Sequence, residues 1–173
     1  MKIPLTLNDK KVVLSAEPTD TLLYILRREQ LYSVKCGCEK GICGNCMVLL
    51  DGEPVPSCKI PMGIIRDCSI VTLEHFKTAP LYQDIMTGFN QAGIHMCGYC
   101  NSGKIFTAYS ILTKYYKPTL KQIQNAIKNL DSCCTDFSSL NNGILYAVAA
   151  KHEREGKKVN AKNKPIYFKI NLF

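Results

Sequence analysis

The first 75 residues alternate apolar and polar positions with a period near two. Ile3, Leu5 and Leu7, separated by Pro4 and Thr6, predict a strand. Asn8-Asp9 is a turn signal, and Val12 to Leu14 predicts the returning strand. Thr19 is a candidate cap for a helix running to about Glu29, with Leu22, Leu23 and Leu26 on its buried side. A Gly- and Cys-rich loop follows over 33–46. Met47 to Leu50, the Asp51-Gly52 turn and Val55 to Cys58 then read as a hairpin, and Ile70 to Leu73 as a further strand.

Beyond residue 76 the apolar period lengthens to nearer four. A helix is expected over 81–92, and Ile105, Tyr109, Leu112 and Tyr116 recur at helical spacing. Thr119 and Gln122 form a capping box ahead of Ile123, Ile127 and Leu130. Ser138 or Ser139 is positioned to start a last helix carrying Leu145 and Val148. The pattern divides the chain into a small mixed α/β unit over 1–76, a helical unit over 77–152 and a tail over 153–173. The tail is polar and basic except at Ile166 to Phe168 and Leu172-Phe173. Tyr115 and Tyr116 read as core and boundary residues at a helix end.

Composition fits a packed protein: 46% of the 173 residues are hydrophobic and 21% charged. No apolar run reaches the roughly 18 residues of a membrane span, and the N-terminal residues do not resemble a secretory signal, so a cytoplasmic address is expected. The net charge of +8 raises a nucleic-acid reading, but seven of the 22 Lys/Arg and two of the 14 Asp/Glu lie in 151–173. The basicity therefore sits largely in the tail rather than across a folded face, and neither a nucleic acid nor a membrane is expected as partner.

Ten cysteines change the picture: 36, 38, 43, 46, 58, 68, 97, 100, 133 and 134. In a reducing compartment, clustered cysteines bind metal or do redox chemistry more often than they form disulfides. Cys38-x4-Cys43-x2-Cys46 with a distant Cys58 has the spacing of plant-type 2Fe–2S sites. Two ferric ions and two sulfides need four thiolates around a compact core. Three of them must come from one tight loop, and Gly37, Gly41 and Gly44 let the backbone turn and its amides approach the sulfurs. A zinc site is the competing reading, but zinc ligands more usually come as paired C-x2–4-C units.

The second group is Cys97-Gly98-Tyr99-Cys100, placed before a helix, and Cys133-Cys134, placed between two helices. These thiols meet if the helices pack antiparallel, and a helix N-terminus favours an anionic centre. Taken alone, the spacing leaves a cluster, zinc, a redox dithiol or plain burial open. His75 and His95 read as surface or hydrogen-bonded side chains rather than ligands, and Cys36 and Cys68 as packed thiols, with Cys36 alternatively a non-ligand neighbour of the first site. There is no hydrolytic triad or acid pair, so no catalytic residue is assigned.

Together the two groups resemble the iron–sulfur subunit of the molybdenum hydroxylases, the xanthine dehydrogenase and aldehyde oxidoreductase family. The matching stretches are Val34 to Cys46, Asp51-Gly52, Ser57-Cys58, Thr72 to Glu74 and Met96 to Cys100. The resemblance implies an α+β architecture: an N-terminal β-grasp, ferredoxin-like 2Fe–2S domain, then an all-α four-helix-bundle domain with its own 2Fe–2S cluster. It assigns Cys38, Cys43, Cys46 and Cys58 to the first cluster. It assigns Cys97, Cys100 and Cys134 to the second, with Cys133 or Ser132 as the fourth ligand. Met96 stands where the family has Gln, and Asn101-Ser102-Gly103 where it has Thr/Ser-Pro-Gly. The implied function is electron transfer within an oxidoreductase. A partner subunit would carry molybdopterin and another FAD, and this chain would relay single electrons between them. The chain itself has no Gly-rich dinucleotide fingerprint. A zinc-stabilised interaction or nucleic-acid-binding module, and a single-cluster variant with a structural or empty second site, are the alternatives.

Because cluster ligation and folding are coupled, Cys43→Ser is expected to abolish the spectroscopic signal of the first cluster and loosen the N-terminal unit. Iron analysis and low-temperature EPR of the reduced protein check this, and retention of full iron would contradict the assignment.

Overall fold

The computed structural model of the chain describes residues 1–130 and 134–156. Among these residues, five strands form one mixed sheet in the order β2-β1-β5-β3-β4. They are β1 (Lys2–Leu7), β2 (Lys10–Ser15), β3 (Met47–Leu50), β4 (Glu53–Pro56) and β5 (Ser69–Val71). β1 runs antiparallel to β2 and parallel to β5. Asn8 and Asp9 both take positive φ, 50° and 64°, as do Asp51 and Gly52 at 49° and 84°. Such backbones suit tight hairpin connections, which is why both turns are legible from Asn, Asp and Gly. β4 lies at the sheet edge, where Pro54 and Pro56 remove no interior ladder bond.

Helix α1 (Leu22–Arg28) buries Leu22, Leu23, Ile25 and Leu26. They share one core with Ile3, Leu5 and Leu14 from the first hairpin, Val48 from β3 and Ile70 from β5. Its N-cap is Thr21, two residues later than expected, with its hydroxyl accepting from the Tyr24 amide at 3.3 Å. Thr21 bridges Pro61 in an extended conformation, and this tertiary pairing delays the helix past Thr19.

Beyond the sheet lie α2 (Leu73–Phe76), α3 (Pro80–Gln91), α4 (Asn101–Lys114), α5 (Leu120–Ile127) and α6 (Phe137–Arg154). The last four build a second core around Ile85, Phe89, Ile105, Phe106, Ile123, Ile127 and Ile144, onto which Leu49 and Leu73 pack. The architecture is thus α+β, a mixed sheet followed by a helical unit. The Thr119–Gln122 capping box forms, with bonds of 2.8 and 3.3 Å.

Several local expectations change. β5 stops at Val71 because Thr72 turns aside, its amide donating to Asn8 Oδ1 at 2.9 Å, and Leu73 begins a helical turn. α4 ends at Lys114, ahead of Pro118, which cannot continue a helix. Tyr116 is therefore outside that helix. Tyr115 and Tyr116 are exposed rather than core, and Tyr116 stacks on His152 at 4.3 Å. The last helix is capped by Asp136, not by a serine: its carboxylate accepts from the Ser139 amide at 2.8 Å and from the Ser139 hydroxyl at 2.6 Å. α6 also runs to Arg154, into the segment read as tail. The tail from residue 157 onward, including Ile166 to Phe168 and Phe173, lies outside the described residues. Among the described residues no helix is long and apolar enough to cross a membrane.

The helical unit depends on a backbone contact between α3 and α6. A Cβ at Gly88 would strike the Ala147 backbone nitrogen and come within 2.5 Å of Gly143 O. Gly88→Ala is therefore expected to lower stability by about 3 kcal/mol or more, at the upper end of overpacking costs, since two helix backbones must separate. Chemical denaturation checks this, and an unchanged midpoint would contradict the contact.

Candidate metal centres

The loop between α1 and β3 has little regular structure, and its turns are made by residues in the left-handed region. Gly41 and Gly44 both have φ of 78°, and Glu39 has 52°. This curl aims three backbone amides, those of Lys40, Ile42 and Cys43, at Cys38 Sγ, each at 3.4 Å. These donors bring the Cys38 thiol down to about 6, the Cys43 amide contributing most. A Cβ at Gly37 would come within 2.8 Å of Cys43 Sγ, so only glycine leaves that sulfur its place.

The four thiols fall into two pairs. Cys38 interacts with Cys43 through their side chains. Cys46 does so with Cys58, which sits in a short helical turn after β4 and lies within electrostatic reach of Cys38. Cys46 and Cys58 are buried, while Cys38 and Cys43 are half-buried. Burial, and then the Cys46 sulfur, push the Cys58 thiol up to about 12, opposed by the Gly41 amide. One pair rich in amide donors and one buried pair suit a centre with two metal ions, each taking two thiolates.

In the helical unit, the Cys97, Cys100 and Cys134 sulfurs lie within 4.8 Å of one another. Gly98, at φ 92°, turns the chain between the first two, and its amide donates to Asn101 Oδ1 at 3.1 Å. Cys100 caps α4 and Cys134 arrives just before α6. Their sulfurs are 3.4 Å apart. Burial pushes the Cys134 thiol up, but the Cys97 amide, the Cys100 thiol and the Lys104 ammonium outweigh it and bring it down to about 6. Three convergent sulfurs, one made acidic by its surroundings, fit a metal-bound centre. Ser132 and Cys133, the alternatives for the fourth ligand, lie outside the described residues.

The two sites meet. Gly44 of the first loop packs on Gly103 in the first turn of α4: a Cβ at Gly103 would lie 2.9 Å from Gly44 O, and one at Gly44 would lie 3.3 Å from Gly103 Cα. Ser102 Oγ donates to Ser33 O at 2.9 Å, and Tyr99 Oη donates to Cys36 O at 3.0 Å. Glu74 draws in the start of the same loop, accepting from the Ser33 amide at 2.7 Å and from its hydroxyl at 2.5 Å.

Other thiols and imidazoles stand apart. Cys36 is exposed rather than packed, because the loop turns it outward to Glu39, whose Oε1 accepts from its thiol at 2.9 Å. Cys68 is half-buried, and its thiol is pushed up mainly by burial. His75 pairs with Asp9 at 2.7 Å, and His95 is exposed. Sequence reasoning missed Lys104, buried against two sulfurs at 3.0 and 3.3 Å. Its position four residues after Cys100 is the signal that places it on the same helix face.

Comparison with known proteins places both thiol groups within matched families. Residues 5–64 match the 2Fe-2S iron-sulfur cluster binding domain family, and residues 72–145 match the [2Fe-2S] binding domain family. The nicotinate dehydrogenase small FeS subunit of Eubacterium barkeri is 35% identical over 147 residues, 84% of this chain and 94% of that protein. The xanthine dehydrogenase iron-sulfur-binding subunit of Escherichia coli O157:H7 is 31% identical over 145 residues, 83% of this chain and 91% of that protein. Among solved structures, a chain of quinoline 2-oxidoreductase from Pseudomonas putida 86 superposes with a TM-score of 0.79 at 30% identity, covering 91% of this chain and 98% of that one. With both cluster-binding domains present in this order, the chain belongs to the family of iron–sulfur subunits of the molybdenum hydroxylases, the xanthine dehydrogenase type.

Proposed function

We propose that this chain is the electron-transfer subunit of a multi-subunit molybdenum hydroxylase, relaying single electrons from a molybdenum-cofactor subunit to a FAD subunit through two 2Fe–2S clusters. The observation that carries this reading is the shared backbone contact of the two thiol groups: Gly44, between Cys43 and Cys46, lies against Gly103, three residues past Cys100. A wire needs its two centres close and rigidly spaced. A glycine-on-glycine contact, tied on either side by Ser102–Ser33 and Tyr99–Cys36 bonds, supplies both conditions.

The domains are taken as 1–76 and 77–152. Cys38 and Cys43 would hold one iron of the N-terminal cluster, and Cys46 and Cys58 the other. Cys97, Cys100 and Cys134 would hold the C-terminal cluster, with Cys133 or Ser132 completing it. When bound, a 2Fe–2S centre accepts and releases one electron at a time. The chain's own contribution is to exclude water and to aim donors at sulfur. The amides of Lys40, Ile42 and Cys43 favour negative charge on Cys38, while the buried Cys46–Cys58 side keeps the centre dry. A reducing cytoplasmic setting suits the free thiols. Both relatives are named as subunits, which supports partner chains for this one.

Reconstituted full-length protein is expected to hold about four irons and about four acid-labile sulfides per chain, and to show two EPR signals on reduction. Cys100→Ser should remove about half of the iron and only one of the signals. Stoichiometric zinc without sulfide would contradict the reading. The assembly containing the native chain should in addition carry molybdenum and flavin, measured by elemental and cofactor analysis. A sulfide-replete assembly without either would contradict the partner assignment.

A further inference from the structure

One charged side chain in the helical unit has no role in ligation. Lys104 lies one turn beyond Cys100 in α4, among the buried Ile105, Phe106 and Ala108, and is 1% exposed. Its Nζ donates to Cys100 Sγ at 3.0 Å and to Cys134 Sγ at 3.3 Å. Among the described residues no carboxylate pairs with it. An ammonium stripped of water is strongly disfavoured unless an anion compensates it, and the anions within reach are the two sulfurs. The N-terminal site is built differently. Its sulfur donors are backbone amides, and Lys40 and Lys59 beside it are exposed.

We propose that Lys104 is a fixed counter-charge that raises the reduction potential of the C-terminal cluster and leaves that of the N-terminal cluster unchanged. The inference rests on the reading that Cys97, Cys100 and Cys134 hold that cluster. Reduction adds one electron, converts one ferric ion to ferrous and breaks no bond. The molybdenum subunit supplies that electron in function, and dithionite supplies it in the test. With four thiolate ligands, the total charge of the centre moves from about −2 to about −3 by counting. A cation at hydrogen-bond distance attracts the more negative state more strongly, and burial strengthens that preference because the local dielectric is low. Donors to the ligating sulfurs act in the same direction. Lys104 is thus a positioning residue for charge, set against a single cluster.

The test is an EPR-monitored reductive titration of reconstituted full-length protein, comparing wild type with Lys104→Met, Lys104→Gln and Lys104→Arg. In the Met and Gln variants, the reduced-to-oxidised ratio of the C-terminal cluster at the wild-type midpoint should fall about tenfold, a shift of about 59 mV for a one-electron couple. The N-terminal midpoint should not move, and the Arg variant should stay near wild type. Neutral variants that lose the second pair of irons while the Arg variant keeps it would likewise support a required counter-charge. Unchanged midpoints in an iron-replete Met or Gln variant would overturn the proposal, as would loss of that iron in all three variants. A wild-type chain with about two irons and a single signal would instead refute the ligand reading itself.

Discussion

Everything functional in this molecule depends on a backbone that bends tightly enough to gather sulfur. Thiolates repel one another, and buried polar donors need partners, so neither thiol group would assemble by hydrophobic packing alone. The chain answers with geometry. Gly41 and Gly44 turn the first loop through the left-handed region, and the amides freed by those turns point at Cys38. In the second site the donors to Cys134 are the Cys97 amide, the Cys100 thiol and a buried lysine. The two solutions share a principle, that negative charge on sulfur is met by fixed donors rather than by water, but differ in their means.

The scaffold exists to hold those bends in register. The sheet and α1 fix both ends of the first loop, while the four-helix unit brings the start of α4 against the approach to α6. The two halves are not loosely tethered. Leu49 and Leu73 enter the helical core, Tyr109 Oη donates to Gly52 O at 3.2 Å, and Gly44 meets Gly103 with no room for a side chain. This interface fixes the separation of the two thiol groups, which is the property an electron relay needs.

Much of this was legible in the sequence because it is locally encoded. Asn8-Asp9 and Asp51-Gly52 accept the positive φ that hairpins need, and Thr119 with Gln122 satisfies its own helix start. The first cysteine spacing carries its loop geometry with it. What was missed is tertiary. Thr19 lost the helix cap to Thr21 because Pro61 pairs with that residue. Asp136 displaced the serines because a carboxylate accepts both the amide and the hydroxyl of Ser139. Cys36 turned outward toward Glu39. Lys104 was hidden because a lysine in a helix reads as a solvated side chain unless the sulfurs brought to it by a distant segment are known.

Whether two separate thiol groups each cage a pair of irons is read from crystals of the reconstituted chain, measured for anomalous scattering at the iron edge. Two pairs of iron peaks are expected, one among the sulfurs of Cys38, Cys43, Cys46 and Cys58 and one beside Cys97, Cys100 and Cys134. A lone metal peak in either group, or no iron beside Cys100, would contradict that arrangement.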